Sequence, residues 1–400
     1  MVRKSSTSVD ANSTLQSQIK SFSDNLLLIH RHRATDPRQT LEPWEVVKAR
    51  REAQRLLLHF ETIAETPVDR AQRIARQFLE TRSLLVVAKF GVADLLGDGE
   101  MRLEDLAEKA GAKATQLGRV MRQLVGLGIF EEVSCHVYRN NLQSDVLRRD
   151  HPRSTAFHLG LEEPLLFSQY LGESIDQKST QTCAELATGC RDLFEYLDMP
   201  NNAKKKEQFN RVMLAVTAEI ETAVIADYDW NQYANETIID VGAGLGRFTR
   251  SLLTHYPLLS AVVFDTPAVI EKAKQLHPVL PNLSYLSGNF FEQLPPARVY
   301  FLKHVLHDWP DAECLQILCK VRESMRDGGV LLLSETVMEE RPLRQQCNMD
   351  VLMMVFFREG ACERSLDDYR RLLQEARFEI RKVVPTRSYH SVIEAVPLLD

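Results

Sequence analysis

The chain has 400 residues, 44% of them apolar and 26% charged, with a net charge of −6. A single core stops growing near roughly 250–300 residues, so two domains are expected; the interspersed acids and bases give no bulk attraction to nucleic acid or to an anionic membrane. The seven cysteines, at 135, 183, 190, 314, 319, 347 and 362, are scattered and lack zinc-finger or CxxC spacing, which reads as reduced thiols in a cytoplasmic protein with no metal site.

Residues 1–43 read as a polar extension, because MVRKSSTSVDANSTLQSQ lacks the apolar core of a secretory signal and its Ser/Thr content predicts a frayed start. No run approaches the roughly 18 uninterrupted apolar residues of a membrane span. From 44 to 160 the pattern predicts a helical, winged-helix module. KARREAQRLLLHF forms one helix and Pro67 opens the next; LEDLAEKAGA, TQLGRVMRQLVGLGIFEE and VYRNN then give two helices and a short β wing. Gly111 and Gly128 fall where helix ends need positive φ. Such a module binds DNA, through Arg119 and Arg122 on its second short helix, or else it dimerises and shapes a substrate site. The acidic net charge favours the second use. Residues 161–232 read as a helical connector, broken at Pro164, Gly172 and Pro200, that lines the substrate pocket.

At 237 the texture changes. TIIDVGAG, AVVFDT, LSYLSGNF, VYFLKHV and GGVLLLSET are short apolar runs separated by helical stretches, which predicts a mainly parallel sheet covered on both faces and so an α/β domain over 233–400. The first strand ends in IIDVGAGLGRF. Without side chains at Gly242, Gly244 and Gly246 the backbone can approach a ligand at the carboxyl edge of the sheet. The second strand ends at Asp265, followed by Thr266, and a carboxylate there can accept from both hydroxyls of a ribose. GxGxG spacing preceded by Asp240, in place of GxGxxG, favours S-adenosylmethionine over a dinucleotide; a plain tight turn is the bland alternative. LSGNFFE then offers Asn289 for an adenine edge and Phe290 for its face, unless Phe290 is simply core.

The stretch VYFLKHVLHDWPDAE carries His304 and His307, three apart. Beside an apolar run, a histidine is by itself more often packed and silent than chemical.

Taken in order, DVGAGLGRF, VVFDTPAVIEKA, SGNFFEQLP, LKHVLHDWPDAECLQIL, GGVLLLSETVM and CERSLDDYRRLLQEARFE resemble the dimeric class I O-methyltransferases of the caffeate and hydroxyindole type, over roughly residues 80–397. The resemblance implies a carboxyl-terminal Rossmann-like methyltransferase domain behind a winged-helix dimerisation domain, a homodimer, S-adenosylmethionine as cofactor, and transfer of methyl to a hydroxyl of a small aromatic or polyketide-like acceptor. It implies His307 as general base, with Glu335 of LSET and Glu363 of ACERS flanking and orienting it. Lys303 joins Asp265, Asp240, Thr266, Asn289 and Phe290 on the cofactor side, and Met354, Asp350 and Arg358 line the acceptor pocket. A phenol has a pKa of ~10, so its proton must leave as methyl arrives, and an imidazole near neutrality is suited to take it. His304 matches no role and stays structural, while Asp308 and Trp309 cap and anchor the turn into the next helix. Asn289 stands where the family usually has Asp, and Arg377 where a glycine turn is expected. The alternative is a non-methylating enzyme on the same fold that uses the sulfonium charge to steer a cyclisation; the retained His307 argues against it.

Overall fold

The computed structural model describes residues 6–35, 41–151, 153–159, 162–276, 278 and 280–398. The chain divides into two compact units: Met1–Gln54 with Tyr170–Tyr196 and Glu219–Asp400, and Arg55–Gln169 with Leu197–Ala218.

The start of the chain, expected to be frayed, is helical. Helix α1 runs Ser6–Thr35 and α2 runs Trp44–Ala64; residues 1–5 and 36–40 of the expected extension lie outside the described residues. Phe22 and Ile29, two helical turns apart on one face of α1, pack with Val46, Ala49 and Ala53 of α2. That sparse stripe is hidden in a polar composition.

In the second unit, α3 (Pro67–Lys89) starts on Thr66, whose hydroxyl accepts from the Asp69 amide at 3.2 Å, with proline in the first position where an N–H is not needed. Strand β1 (Glu100–Arg102), helices α4 (Leu103–Ala110) and α5 (Ala114–Gly126), and strands β2 (Glu131–Ser134) and β3 (Val137–Arg139) follow. The small sheet is antiparallel in the order β1-β3-β2. Gly111 and Gly128 close their helices at φ 64° and 73°, as the sequence predicts. Leu106, Met121, Phe130 and Tyr138 bury together, so helices and wing share one core.

Helix α6 (Ala203–Asp227) leads into the first unit's sheet. Its elements are β4 (Thr237–Val241), α7 (Arg247–His255), β5 (Ser260–Asp265), α8 (Pro267–Leu276), β6 (Leu283–Ser287), β7 (Ala297–Lys303), α9 (Asp311–Ser324), β8 (Met325–Met338), α10 (Arg344–Phe356), α11 (Leu366–Glu375), β9 (Phe378–Pro385) and β10 (His390–Pro397). The strand order is β9-β10-β8-β7-β4-β5-β6; β4 to β8 are parallel, and β10 runs antiparallel to both of its neighbours. Successive residues alternate between two cores: Ile239, Leu302, Leu331 and Leu333 pack with Ile317 and Leu372 on one face, while Ile238, Phe301 and Leu332 pack with Trp230 and Phe248 on the other. Burial on both faces is why these strands read as unbroken apolar runs. β4 is flanked by β5 and β7, so the strand order reverses there and opens a crevice at the carboxyl ends of Val241, Asp265 and Lys303. Far from that edge, Arg377 turns at φ 64° after α11 without the expected glycine.

Candidate active site

The chain leaves β4 through three left-handed glycines, Gly242, Gly244 and Gly246, at φ 70°, 57° and 75°. They are not equivalent. A Cβ on Gly242 would lie 2.9 Å from Val305 and one on Gly246 2.7 Å from Val263, whereas one on Gly244 would project into open space. The outer two are small because the protein packs against them; the middle one leaves its backbone open to an incoming ligand. The Gly244 amide donates to Asp265 Oδ2 at 2.8 Å and the Thr266 amide to Oδ1 at 2.7 Å, which fixes the carboxylate at the strand tip. Burial raises the Asp265 pKa and those two amides restrain the rise.

Asp240 is buried at the end of β4 and accepts from the Thr249 hydroxyl. Burial pushes its carboxyl up to about 7, with Thr249 and Lys303 opposing and Asp265 and Glu221 adding to it. Lys303 lies 3.8 Å from Glu221 of α6, which also pairs with Arg247 at 3.3 Å. Glu221 carries no signal in the sequence of its helix; only the fold brings it here. Asn289 accepts from the Phe291 amide and donates to Glu292, both at 3.0 Å, leaving one amide hydrogen and one carbonyl lone pair for a ligand. Phe290 meets Phe291 and Trp309 edge-on at 4.8 and 5.9 Å, so it packs on the core and also walls the glycine loop.

After β7 the chain makes one 3₁₀ turn, Leu306–Asp308. Glu335 of β8 is 0% exposed: its Oε1 accepts from the amides of Val305 and Leu306 at 3.0 and 2.9 Å, and its Oε2 lies 3.0 Å from Nδ1 of His307. Arg364, 2% exposed, grips the same turn, donating to the carbonyls of Leu306 and Trp309 at 2.7 Å each and to Asp311 at 2.9 and 3.0 Å. The second ring nitrogen of His307, Nε2, lies 3.1 Å from Asp308 Oδ1. Burial alone would lower the His307 pKa, but the carboxylates of Asp308 and Glu335 outweigh it and hold it well above the ordinary range. Glu335 stays ionised despite its burial because His307 and the Val305 amide stabilise its charge.

Two expectations fail at this turn. Asp308 does not cap the following helix, whose N-cap is Pro310; it takes the free nitrogen of His307 instead. Glu363, expected to orient His307, has no hydrogen bond to the ring among the described residues: its amide donates to Asp350 Oδ1 at 3.0 Å, and its Oε2 is buried without a partner. Burial, reinforced by Glu335, Asp350 and Asp308 and opposed by His307, raises the Glu363 carboxyl to about 7. Trp309 anchors the turn as expected, lying 4.8 Å from Phe291 with the Arg358 guanidinium 5.3 Å from its ring. Arg358 is held in turn by Asp192 at 3.1 Å. Met354, at 38% exposure on α10, does not share the burial of this group. The sequence reading missed Arg364 and Glu221 altogether, and gave Asp308 the wrong task although it adjoins His307.

The family model of the O-methyltransferase domain matches residues 168–379, and that of the O-methyltransferase dimerisation domain matches residues 72–150. A phenazine O-methyltransferase of Lysobacter antibioticus is 32% identical over 327 residues, covering 80% of this chain and 93% of that protein. A myricetin O-methyltransferase of Catharanthus roseus is 29% identical over 337 residues, covering 80% and 94%. Among solved structures, an O-methyltransferase from neocarzinostatin biosynthesis, in complex with S-adenosyl-L-homocysteine and 1,4-dihydroxy-2-naphthoic acid, superposes with a TM-score of 0.66 at 28% identity, covering 82% of this chain and 98% of that one.

Proposed function

The chain belongs to the O-methyltransferase family, and from that premise we propose that His307 is the general base with which it methylates a hydroxyl of a small aromatic or polyketide-like acceptor. S-adenosylmethionine-dependent O-methylation is the activity of the family, and the dimerisation domain over residues 72–150 makes the chain a homodimer. The non-methylating alternative draws no support from relatives that are methyltransferases by name. Hydroxylated aromatics recur among those relatives, myricetin and 1,4-dihydroxy-2-naphthoic acid among them.

The residues fit the cofactor. Asp265 suits ribose hydroxyls, the open side of Gly244 admits the ligand, and the carboxylates gathered near Lys303 suit a cationic molecule. Bound there, S-adenosylmethionine supplies a methyl group activated by its sulfonium charge. The chain's own task is the acceptor proton. When Nδ1 of His307 donates to Glu335, the tautomer is fixed and the lone pair on Nε2 faces the acceptor. Asp308 occupies that nitrogen, and while it does so the ring is an imidazolium; it becomes the base once its Nε2 proton has passed to solvent and the acceptor hydroxyl has taken the place of Asp308, so that the acceptor's proton goes to Nε2 as its oxygen takes the methyl.

The observation that carries this reading is the 3.0 Å contact between the fully buried Glu335 and His307, whose ring keeps a small exposed edge. Labelled methyl donor and a panel of hydroxylated aromatics test it: His307→Ala should lose ~100-fold or more in turnover with a responsive acceptor. Undiminished turnover in that variant overturns the assignment, and acceptor conversion without S-adenosylhomocysteine release would revive the non-methylating reading. A cytoplasmic location belongs to the same proposal, supported by seven scattered cysteines without zinc-finger or CxxC spacing. Among the described residues no helix is long and apolar enough to cross a membrane.

A further inference from the structure

We propose that His390 is a positioning residue for the ring of His307, acting through His304, and that Arg51 of the amino-terminal helix α2 holds the turn that carries it. The inference rests on reading His307 as the base. It starts from His304, a non-glycine residue at φ 55°, a conformation that persists only where its surroundings over-determine it. The His304 amide donates to the Ser334 carbonyl at 3.2 Å, its Nε2 is hydrogen-bonded to Nε2 of His390, and the two rings lie 4.2 Å apart. On its other side the His304 ring meets that of His307 edge-on, with centroids 4.9 Å apart. His390, 2% exposed, is itself fixed at Nδ1 by the Ser334 hydroxyl at 3.0 Å.

A bond between two Nε2 atoms requires one ring to donate and the other to accept, which two neutral rings, each in a set tautomer, satisfy. Burial, aided by Lys303 and His307, keeps them so: His304 lies well below its usual value, and His390 is pushed down to about 3 even with Glu335 opposing. A neutral, oriented pair therefore backs the charged ring of His307 without competing for its proton.

The brace continues outward. The Thr386 hydroxyl donates to the His390 carbonyl at 2.6 Å and accepts from the Ser388 hydroxyl at 2.7 Å. Arg51 donates to the carbonyl of Thr386 at 3.1 Å and to that of Ser388. Beside this turn a cavity of about 130 Å³, lined by Arg51, Leu343, Gln346, Tyr389 and His390, gives it room to shift once the tether is cut. Arg51 and His390 both lie outside the stretches that the family models match, 72–150 and 168–379, and the brace gives the amino-terminal helices a task.

The test uses the full-length homodimer with His390→Leu, His390→Gln and Arg51→Met. His390→Leu should lower kcat ~10-fold, in line with a small misplacement of a catalytic group, while KM for donor and acceptor stays within about twofold. His390→Gln, whose amide reaches toward the Nε2 position, should recover at least about a third of the parent kcat, and Arg51→Met should fall between the two. In histidine-labelled protein the ring nitrogen resonances of His307 should move in His390→Leu and Arg51→Met. An unchanged kcat in His390→Leu, equal losses in the Leu and Gln variants, or a KM that rises as kcat falls each overturns the proposal. Should His390→Leu not fold, unmoved kcat and His307 resonances in Arg51→Met do the same. Undiminished turnover in His307→Ala would instead remove the base assignment, while the resonances still report whether His390 sets the ring.

Discussion

Asp308 Oδ1 lies 3.1 Å from Nε2 of His307, the ring nitrogen that Glu335 does not hold. A base must be neutral to work, yet each carboxylate stabilises the imidazolium, so with His307 as the proposed base Asp308 would set the pH below which the enzyme idles. Replacing it by Asp308→Asn removes one negative charge and lowers the His307 pKa. The acidic limb of the pH profile of kcat/KM should move to lower pH, and the rate at pH 6 relative to pH 8 should rise. An unmoved limb would mean that the titrating group is not the one touching Asp308.

Glu363 makes a prediction about stability. Its carboxyl is raised to about 7 in the folded chain from an ordinary 4.5, so between those values the folded state binds the extra proton. Its contribution is fully present below about 4.5 and is lost as pH rises to about 7, a change on the order of 3 kcal/mol. Glu363→Gln stays neutral throughout. Its melting temperature relative to the parent should therefore be higher at pH 8 than at pH 5, and thermal melts at the two values decide it. An equal difference at both would show that Glu363 finds a partner in solution.

What could be read from the sequence was what depends on pattern. Parallel strands buried on both faces are apolar along most of their length, and a strand ending in spaced glycines before Arg247 has few other uses, so the sheet and the Gly242–Gly246 loop were legible. The partners around His307 were not. Whether Asp308 caps α9 or turns back onto the ring depends on one side-chain rotation in a 3₁₀ turn, and the place of Glu363 depends on Asp350 catching its amide. Arg364 was invisible for a plainer reason: an arginine beside a glutamate normally signals a solvated surface, and only the fold shows it 2% exposed with two carbonyls to bind. Helix α1 was misread because its packing stripe is two residues, Phe22 and Ile29, in a polar segment.

Gly244 and Gly246 separate binding from packing. Both have positive φ, so an alanine at either is strained by about 1–2 kcal/mol. At Gly246 the new methyl would also lie 2.7 Å from Val263, and overpacking of that kind adds about 1–3 kcal/mol. At Gly244 nothing lies within 4 Å, so the methyl enters open space, which on the proposed reading the cofactor fills. Gly246→Ala should lower the melting temperature more, and Gly244→Ala should weaken S-adenosylhomocysteine binding, measured calorimetrically, by roughly 10-fold or more for the loss of about 1.4 kcal/mol of contact. Parent-like affinity in Gly244→Ala would mean that the ligand does not pass over that residue.

Arg364 should be the most sensitive structural position in the site. Its fork spans the carbonyls of Leu306 and Trp309, which bracket His307, and ties both to Asp311. In Arg364→Met those buried carbonyls lose their charged donor and keep only weaker contacts, from the Cys314 thiol at 3.2 and 3.3 Å and from the Trp309 amide to Leu306 at 3.3 Å, while Asp311 keeps Arg371 at 2.6 Å, so the penalty falls on the turn itself. A loss of about 2–3 kcal/mol is expected from removing charged hydrogen bonds to buried carbonyls, together with a fall in kcat as the His307 turn loosens. Arg364→Lys retains the charge but not the fork: one ammonium on a flexible stem cannot hold two carbonyls and a carboxylate in fixed directions, so it should recover less than half of the lost stability and little of the kcat. Chemical denaturation and steady-state rates on the two variants give the answer. If lysine restores both in full, positive charge near the turn is what matters and the geometry of the fork is incidental.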